Sequence, residues 1–213
     1  MHQTILIIDF GSQYTQLIAR RVRELNVYCE IHPYNHLPQL SDHIKGVIFS
    51  GSPASVRDNE APEIDTRLFR KNFPVLGICY GAQLMAHQNG GLVAPSNTRE
   101  YGRAHLQIKA VGKEIFNNVS SQSQVWMSHA DTIKEVPADF EIIASTGDVK
   151  VAAYHIKGEK TYGLQFHPEV VHSDEGKKIL ENFLKNVCGC SMDWTPGSFI
   201  DETVALLKAQ LQN

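Results

Sequence analysis

Residues 75–83, VLGICYGAQ, combine an apolar run, a cysteine and a turn of small residues. This pattern is typical of a buried strand that turns sharply into a helix, with Gly77 and Gly81 leaving room for the turn. A thiol at such a corner projects above the sheet, and the helix N-terminus lowers its pKa from the usual value of about 8.5. The pattern therefore favours Cys79 as a nucleophile. The alternative is that Cys79 is a small buried apolar residue, as free cysteines often are.

A second group of residues would supply a base for that nucleophile. Residues 163–169, GLQFHPE, end a predicted strand with His167 and place Glu169 just beyond it. A histidine at the end of a strand can reach a nucleophile on the neighbouring strand, and a carboxylate can hold the imidazole in the reactive tautomer. The chain has 10 histidines, so one beside a glutamate on a loop is also an ordinary feature. The presence of Cys79 shifts the balance towards catalysis.

A third group is the turn at residues 49–53, FSGSP, which follows a predicted central strand. Attack on an amide carbonyl develops a negative charge on its oxygen. Losing one preorganised N–H donor to that oxygen typically slows such reactions about a hundred- to a thousandfold. The turn therefore predicts half of an oxyanion hole, although any sharp Gly-Ser-Pro loop has the same composition.

The elements that must position these groups follow from apolar runs alternating with helical patterns, which predict parallel strands joined by crossover helices. The expected strands in the first half are 4–10, 27–31, 45–50 and 75–78, and the expected helices are 13–25, 63–72 and 81–87. From Leu92 onward we expect an antiparallel extension of short strands, followed by a helix over 174–187. The short strands are 104–111, 124–128, 140–145, 151–155 and 162–166.

Composition excludes several classes of protein. With 42% hydrophobic and 20% charged residues, the chain has the profile of an ordinary soluble domain. The net charge of −3 provides no overall positive field for nucleic acid or an anionic membrane. No apolar run approaches the roughly 20 residues of a membrane span. The 4 cysteines are too sparse for a disulfide framework. Because Cys188 and Cys190 lack a second pair of ligands at the spacing of zinc sites, we expect no metal site.

The end of the chain carries a second apolar stripe. Residues 191–196 break the pattern, and a helix with apolar residues on one face follows. We expect this face to pack on the core, and the alternative is an interface to something outside this chain. The stripe consists of Ile200, Val204, Leu207 and Leu211.

The Gly-Ser-Pro turn, the Cys-Tyr-Gly-Ala-Gln elbow and the His-Pro-Glu segment, in this order and at these separations, resemble class I glutamine amidotransferases. Within that class, residues 8–21 (IDFGSQYTQLIARR) and 125–129 (VWMSH) resemble the GMP synthase branch. The resemblance extends from the first predicted strand to residues 193–196 (DWTP). It implies an α/β fold with a central, mostly parallel sheet flanked by helices and an antiparallel extension.

The resemblance also implies roles for individual residues. Cys79 would be the nucleophile, His167 the general base and acid, and Glu169 the residue that orients it. The backbone N–H groups of Ser52 and Tyr80 would bind the oxyanion. The residues implied in substrate binding are Gln83, Gly51, Ser128, His129, Ala130 and Asp131. The family usually has glycine at positions 52 and 130, so a side chain at either position could crowd the pocket or require a different φ.

The implied activity is hydrolysis of L-glutamine to glutamate and ammonia through a thioester on Cys79. In GMP synthase the ammonia passes to adenylated XMP on an ATP-pyrophosphatase synthetase domain, for which ATP and Mg are expected. Since the chain has no Ser-Gly-Gly-Val-Asp-Ser loop, we expect residues 1–190 to form the amidotransferase domain. Residues 191–213 would be a linker and helix leading towards that absent domain. We expect no cofactor for the amidotransferase domain itself and a cytoplasmic location. A homodimer of the full-length enzyme is left open.

Two alternatives remain at this point. One is another cysteine hydrolase of related fold, such as a γ-glutamyl hydrolase or a peptidase, which gives no reason for the GMP-synthase-like N-terminus. The other is a non-catalytic regulatory module, against which the intact Cys79, His167 and Glu169 argue.

Overall fold

A computed structural model describes residues 2–109, 114–198, 200, 204 and 208. Its strands are β1 (Thr4–Asp9), β2 (Tyr28–Pro33), β3 (Ile44–Phe49), β4 (Val75–Ile78), β5 (Leu92–His105), β6 (Gln107–Ile108), β7 (Gln124–Glu135), β8 (Phe140–Ser145), β9 (Ala153–Ile156) and β10 (Thr161–Leu164). Its helices are α1 (Thr15–Glu24), α2 (Arg67–Arg70), α3 (Tyr80–Gln88) and α4 (Gly176–Asn182), which continues as a π-helical turn over Phe183–Val187.

The main sheet has the strand order β2-β1-β3-β4-β10-β9-β8-β6. The strands from β2 to β10 in this order run parallel, and β9, β8 and β6 continue the sheet in antiparallel pairing. The prediction of a central, mostly parallel sheet with an antiparallel extension is therefore confirmed. Because β4 and β10 are neighbours, the segments with Cys79 and His167 leave the sheet side by side.

The central strands are apolar on both faces because each face of the sheet has its own core. In β1, Ile5 and Ile7 join one core while Leu6 and Ile8 join the other, and all four side chains are buried. Helix α1 covers the first core, and helix α3 packs into the second. This two-sided burial explains why the strands read as continuous apolar runs.

The prediction of a helix over the whole of 63–72 is wrong in its length, because only Arg67–Arg70 of this segment is helical. The side-chain amide of Gln88 donates to the carbonyl of Ile64 at 2.7 Å and accepts from the backbone N–H of Thr66 at 3.2 Å. These bonds use backbone groups that a longer helix would need. The segment before α2 is therefore held as a loop against the end of α3.

The region after Leu92 also differs from the prediction. Instead of short strands alone, β5 and β7 form a separate two-stranded antiparallel ribbon. The strand predicted over 124–128 extends to Glu135, because its pairing with β5 continues beyond the apolar residues. Of the segment predicted over 104–111, positions 110 and 111 lie outside the described residues.

The apolar stripe near the end of the chain does not pack on the core where the structure describes it. Ile200 is 60% exposed and Val204 is 43% exposed, so the expectation of core packing is wrong for these two residues. Leu207 and Leu211 lie outside the described residues. Within the part of the chain covered by the structure, no helix has both the length and the apolar character needed to cross a bilayer.

Candidate active site

Cys79 occupies the corner between β4 and α3. Its φ of 51° lies in the left-handed region, which a non-glycine residue adopts at a cost of about 1–3 kcal/mol. The Cys79 N–H donates to the carbonyl of Leu164 on β10 at 2.7 Å, and the Cys79 carbonyl accepts from the N–H of Gln83 at 3.0 Å. The sheet and the helix thus hold the strained corner from both sides.

Two glycines allow helix α3 to approach the sheet closely at this corner. A Cβ at Gly77 would lie 2.7 Å from the backbone nitrogen of Ala82 in α3. A Cβ at Gly81 would lie 2.7 Å from the carbonyl oxygen of Phe49 on β3. Helix α3 therefore starts so close to the sheet that neither position has room for a side chain.

His167 and Glu169 form a buried pair just after β10. Nδ1 of His167 lies 2.7 Å from Oε1 of Glu169, and because a carboxylate only accepts, Nδ1–H is the donor. Nε2 is then the ring nitrogen left to exchange a proton with the thiol. The His167 backbone is anchored as well, since its N–H donates to Trp126 O at 3.0 Å and its carbonyl accepts from Ser173 Oγ at 2.6 Å.

Opposing effects act on the pKa of His167. Burial of the imidazole disfavours its charged form, but the carboxylate of Glu169 and the sulfur of Cys79 favour it more strongly. The pKa of His167 therefore lies well above its usual value. A protonated imidazole is suited to stabilise a Cys79 thiolate and later to protonate a leaving group.

The thiol and the imidazole converge beside Gly51. A Cβ placed on Gly51 would lie 3.5 Å from Cε1 of His167 and 3.7 Å from Cβ of Cys79. The thiol of Cys79 also lies 3.9 Å from the carbonyl oxygen of Ser128 on β7. The turn after β3, the elbow, the end of β10 and the ribbon strand β7 thus meet at one point.

Two backbone N–H groups near this point are available to an oxyanion. Among the described residues, neither the N–H of Ser52 nor that of Tyr80 has a hydrogen-bond acceptor. The side chain of Ser52 folds back, so that its Oγ accepts from the N–H of Ala54 at 3.2 Å. Neither Ser52 nor Ala130 has a positive φ, so the side chains at these two positions need no special backbone conformation.

Gln83 is held by a buried amide network. Its Nε2 donates to the carbonyl of Asp131 at 2.7 Å and to Oε1 of Gln165 at 3.2 Å. Gln165 in turn donates from Nε2 to Oγ1 of Thr132 at 2.9 Å. Because both amide hydrogens of Gln83 are used, only its Oε1 remains to accept a hydrogen bond from a bound molecule.

Asp131 lies within strand β7 rather than in a loop, and its carboxylate is engaged by the turn after β3. Nη2 of Arg57 donates to Oδ1 at 2.9 Å, Nε of Arg57 approaches Oδ2 at 3.4 Å, and Ser55 Oγ donates to Oδ2. We call Ser55, Arg57 and Asp131 the clasp. The clasp joins the turn that carries Ser52 to the ribbon, across the mouth of the site.

A cavity of about 570 Å³ connects these groups. Its lining residues that the sequence predicted are Gly51, Ser52, Cys79, Gln83, Ser128, His129, Ala130, Asp131 and His167. Tyr80 contributes only its backbone N–H, since its hydroxyl donates to Pro62 O at 2.6 Å, and Glu169 lies fully buried behind His167. The structure therefore brings every predicted site residue to this cavity or directly behind its wall.

Sequence reasoning missed several lining residues, namely Ser12, Gln13, Tyr14, Pro53, Ala54, Ser55, Arg57 and Tyr101. The ring of Tyr14 stands edge-on to His167, with 5.1 Å between the ring centroids. The loop of Tyr14 follows the carboxyl end of β1, where ligands bind in parallel sheets, so topology could have identified it. Arg57 gave no comparable signal, because spacing along the chain does not reveal a pair formed between a loop and a distant strand.

His129 gives a prediction for the dependence of stability on pH. Burial, followed by the charge of His167, lowers the pKa of His129 to about 4, so its imidazole is neutral in the fold near pH 7. Between pH 6.5 and about 4 the unfolded chain binds this proton and the folded chain does not, so stability falls as the pH falls. Relative to His129→Gln, the parent should lose about 2 kcal/mol more unfolding free energy between pH 7 and pH 5.

Urea unfolding at the two pH values measures this difference. The exposed His87 on α3 provides the control, and His87→Gln should show the same pH dependence as the parent. Equal pH dependence of His129→Gln and the parent would contradict the assignment of a buried, neutral His129.

Among the described residues, no group of three or more His, Cys, Asp or Glu side chains is arranged to hold a metal ion. The expectation that this domain works without a metal or cofactor remains a prediction. The chemistry of the cavity can be written with the side chains and backbone groups given above.

Comparison with known proteins gives a consistent result. The sequence model of the family "Glutamine amidotransferase class-I" matches residues 6–187. The chain is 60% identical over 211 residues to "GMP synthase [glutamine-hydrolyzing]" of Cytophaga hutchinsonii and 57% identical over 211 residues to "GMP synthase [glutamine-hydrolyzing] 1" of Bacteroides thetaiotaomicron. In each case the match covers 99% of this chain and 42% of the relative, so the chain spans less than half the length of these proteins.

Solved structures show the same fold. A GMP synthase subunit from Thermoplasma acidophilum superposes with a TM-score of 0.75 at 32% identity, covering 89% of this chain and 95% of that one. A glutamine amidotransferase from Thermotoga maritima superposes with a TM-score of 0.72, covering 88% of this chain and 99% of the other. At 18% identity, the second comparison bears on the fold alone.

Proposed function

This chain belongs to the class I glutamine amidotransferase family, and we propose that its cavity hydrolyses L-glutamine to L-glutamate and ammonia through a thioester on Cys79. The observation that carries the proposal is the convergence of three groups in one cavity. These are a thiol on a strained elbow, an imidazole oriented by a buried carboxylate, and two backbone N–H groups without acceptors among the described residues.

The first half of the reaction forms the thioester. The Cys79 thiolate attacks the side-chain amide carbon of glutamine, and the N–H groups of Tyr80 and Ser52 stabilise the negative oxygen that develops. His167 then donates the proton on Nε2 to the amide nitrogen, the C–N bond breaks, and ammonia leaves. Glu169 keeps its hydrogen bond to Nδ1 throughout, which holds Nε2 towards the reacting atoms.

The second half releases glutamate. His167, now neutral, removes a proton from a water molecule, and the resulting oxygen attacks the thioester carbon. The same two N–H groups stabilise the second oxyanion, and expulsion of the Cys79 thiolate restores the ion pair with protonated His167. The sum is one glutamine and one water converted to one glutamate, one ammonia and one proton, which the new carboxyl group releases.

The remaining lining residues position the substrate. Oε1 of Gln83 accepts no hydrogen bond from a described residue, so it can accept one from glutamine, whereas its Nε2 is used within the protein. The carboxylate of Asp131 is the anion placed to meet the α-ammonium group. We assign the contacts with the body of the substrate to Gly51, Ser128, His129 and Ala130.

We propose that the ammonia serves the amination of XMP to GMP on an ATP-pyrophosphatase synthetase partner, and that ATP and Mg belong to that partner. The support is the 60% identity to a glutamine-hydrolysing GMP synthase of which this chain matches 42%. On this proposal residues 191–213 lead towards the partner. Their first part still packs on the domain, since Trp194 N–H donates to Asn26 O at 2.9 Å. A catalytic thiolate beside further unpaired cysteines suits the reducing cytoplasm, where we place the reaction.

Labelling with 6-diazo-5-oxo-norleucine, a glutamine analogue that alkylates nucleophiles, tests the glutaminase. Intact-mass spectrometry should find one adduct on the parent chain and none on Cys79→Ala. The other cysteines remain in this variant as internal controls, and burial raises the pKa values of Cys29 and Cys190 to about 11, which keeps them inert. An adduct on the Cys79→Ala chain equal to that on the parent would contradict the proposal, and so would the absence of an adduct on the parent.

Neither alternative is favoured by these observations. Both curated relatives described above are glutamine-hydrolysing GMP synthases, rather than γ-glutamyl hydrolases or peptidases. A non-catalytic module would have no need for the strained Cys79 or for the fully buried carboxylate of Glu169. Competition with substrate separates the two activities. In a glutaminase, L-glutamine should protect Cys79 from labelling and γ-glutamyl peptides should not.

A further inference from the structure

Apart from the catalytic Cys79 and His167, the charged residues that line the cavity form one opposite pair. Among the described lining residues, Arg57 is the one lysine or arginine and Asp131 the one aspartate or glutamate. The two bind each other, with Nη2 of Arg57 at 2.9 Å from Oδ1 of Asp131. A ligand whose reacting group lies at Cys79 and His167 therefore meets, elsewhere in the cavity, one cation and one anion side by side.

The two partners differ in accessibility. The Asp131 side chain is 9% exposed, whereas that of Arg57, which also lines the cavity, is 42% exposed. Nε and Nη2 of Arg57 point to Asp131, and Nη1 makes no hydrogen bond to a described residue. Arg57 can thus keep its contact with Asp131 and still donate to a second anion.

Glutamine presents matching charges. When its side-chain amide lies against Cys79, its α-carbon lies at the far end of the molecule and carries an ammonium and a carboxylate on the same atom. An ammonium on Asp131 places the carboxylate beside the guanidinium that Asp131 already holds. The four groups then alternate in sign, which is the arrangement that charge-assisted hydrogen bonds favour.

We propose that Arg57 is a specificity-determining residue that binds the α-carboxylate of glutamine through its unused guanidinium hydrogens. This rests on the glutaminase proposed above and names how the site selects an α-amino acid amide. Arg57 belongs to the same turn as Ser52, and the clasp ties that turn to β7. Binding of the carboxylate therefore also holds the turn that carries one of the two oxyanion donors.

The test uses three ligands and the Cys79→Ala chain, in which nothing is turned over. L-Glutamine has both α-groups, glutaramate lacks the ammonium, and 4-aminobutanamide lacks the carboxylate. NMR titration gives the Kd of each ligand with Arg57 present and with Arg57→Gln. We expect Arg57→Gln to raise the Kd of L-glutamine and of glutaramate roughly ten- to a hundredfold, and that of 4-aminobutanamide less than about threefold.

The opposite ligand pattern would overturn the proposal. If Arg57 acted only by holding Asp131 in place for the ammonium, Arg57→Gln would weaken 4-aminobutanamide and leave glutaramate unchanged. Failure of L-glutamine to bind the Cys79→Ala chain at all would reject the glutaminase itself, and this inference with it. Arg67→Gln is the matched control, because Arg67 also forms a two-point pair with an aspartate, Asp65, but lies outside the cavity.

Discussion

Replacing His167 by asparagine should lower kcat/KM for L-glutamine by roughly a thousand- to ten-thousandfold. Asparagine cannot carry the proton from the thiol to the leaving ammonia, so both halves of the reaction lose their acid and base. The loss is kinetic rather than a failure to bind, because the residues assigned to the substrate lie on the turn after β3, on α3 and on β7. Ammonia release measured at saturating and at subsaturating glutamine distinguishes a loss of kcat from a loss of substrate binding.

The same substitution should also destabilise the fold. Glu169 is fully buried, and its Oε2 has no hydrogen-bond partner among the described residues. Removing the imidazole leaves a buried carboxylate without its opposing charge, which typically costs about 3–5 kcal/mol. A double replacement, His167→Asn with Glu169→Gln, should recover part of that stability and none of the activity.

His172 is the matched control for this prediction. It lies on the same loop as His167, is exposed, and contacts Trp126 at a tilted angle with 4.7 Å between ring centroids. His172→Asn should therefore change kcat/KM by less than about threefold, as surface substitutions usually do. If His172→Asn and His167→Asn lost similar amounts of activity, the role assigned to His167 would be wrong.

Gly176→Ala should damage the site from a distance. A Cβ on this first residue of α4 would overlap the carbonyl oxygen of Pro168 and lie 2.7 Å from its carbonyl carbon. Pro168 stands between His167 and Glu169, so relief of the overlap must move the pair. Because misplacement by about 1 Å typically costs a hundredfold in rate, we expect about that loss in kcat.

The expected effect on stability follows from two opposing magnitudes. Alanine gains about 1 kcal/mol over glycine in a helix, whereas overpacking against backbone costs about 1–3 kcal/mol and occasionally more. The overlap with Pro168 involves backbone atoms, so we expect the upper part of that cost, about 2–3 kcal/mol, which exceeds the gain by about 1–2 kcal/mol in urea unfolding. Gly147→Ala is the control, since a Cβ there meets nothing within 4 Å and the backbone φ is not positive. An active, stabilised Gly176→Ala would show that α4 can shift without moving His167.

The sequence predicted those parts of the site that depend on short-range patterns. The elbow at Cys79 is encoded by an apolar run, two glycines and a helix start, all adjacent in the chain. The pairing of His167 with Glu169 is likewise local. Parallel order of the strands could be expected as well, because apolar runs buried on both faces alternate with helical segments.

What could not be predicted depends on contacts between distant segments. The long ribbon of β5 and β7 forms because the two strands pair with each other, whereas the apolar pattern in β7 fades after Ser128. The clasp joins Arg57 to Asp131 across 74 positions, and nothing in the spacing of either segment reveals it. The misassigned helix over 63–72 has the same origin, since the amide of Gln88 on α3 captures backbone groups that helical propensity alone would have paired.

The position of β10 in the sheet has a consequence for how the enzyme comes into being. This strand enters between β4 and β9, although β4 is synthesised far earlier. Until β10 emerges from the ribosome, β4 has an unpaired edge, and Cys79 lacks both the Leu164 carbonyl that holds its backbone and the imidazole of His167. The catalytic arrangement around Cys79 therefore cannot assemble until β10 and the residues after it have been made. The catalytic pair and the completed central sheet depend on the same late strand.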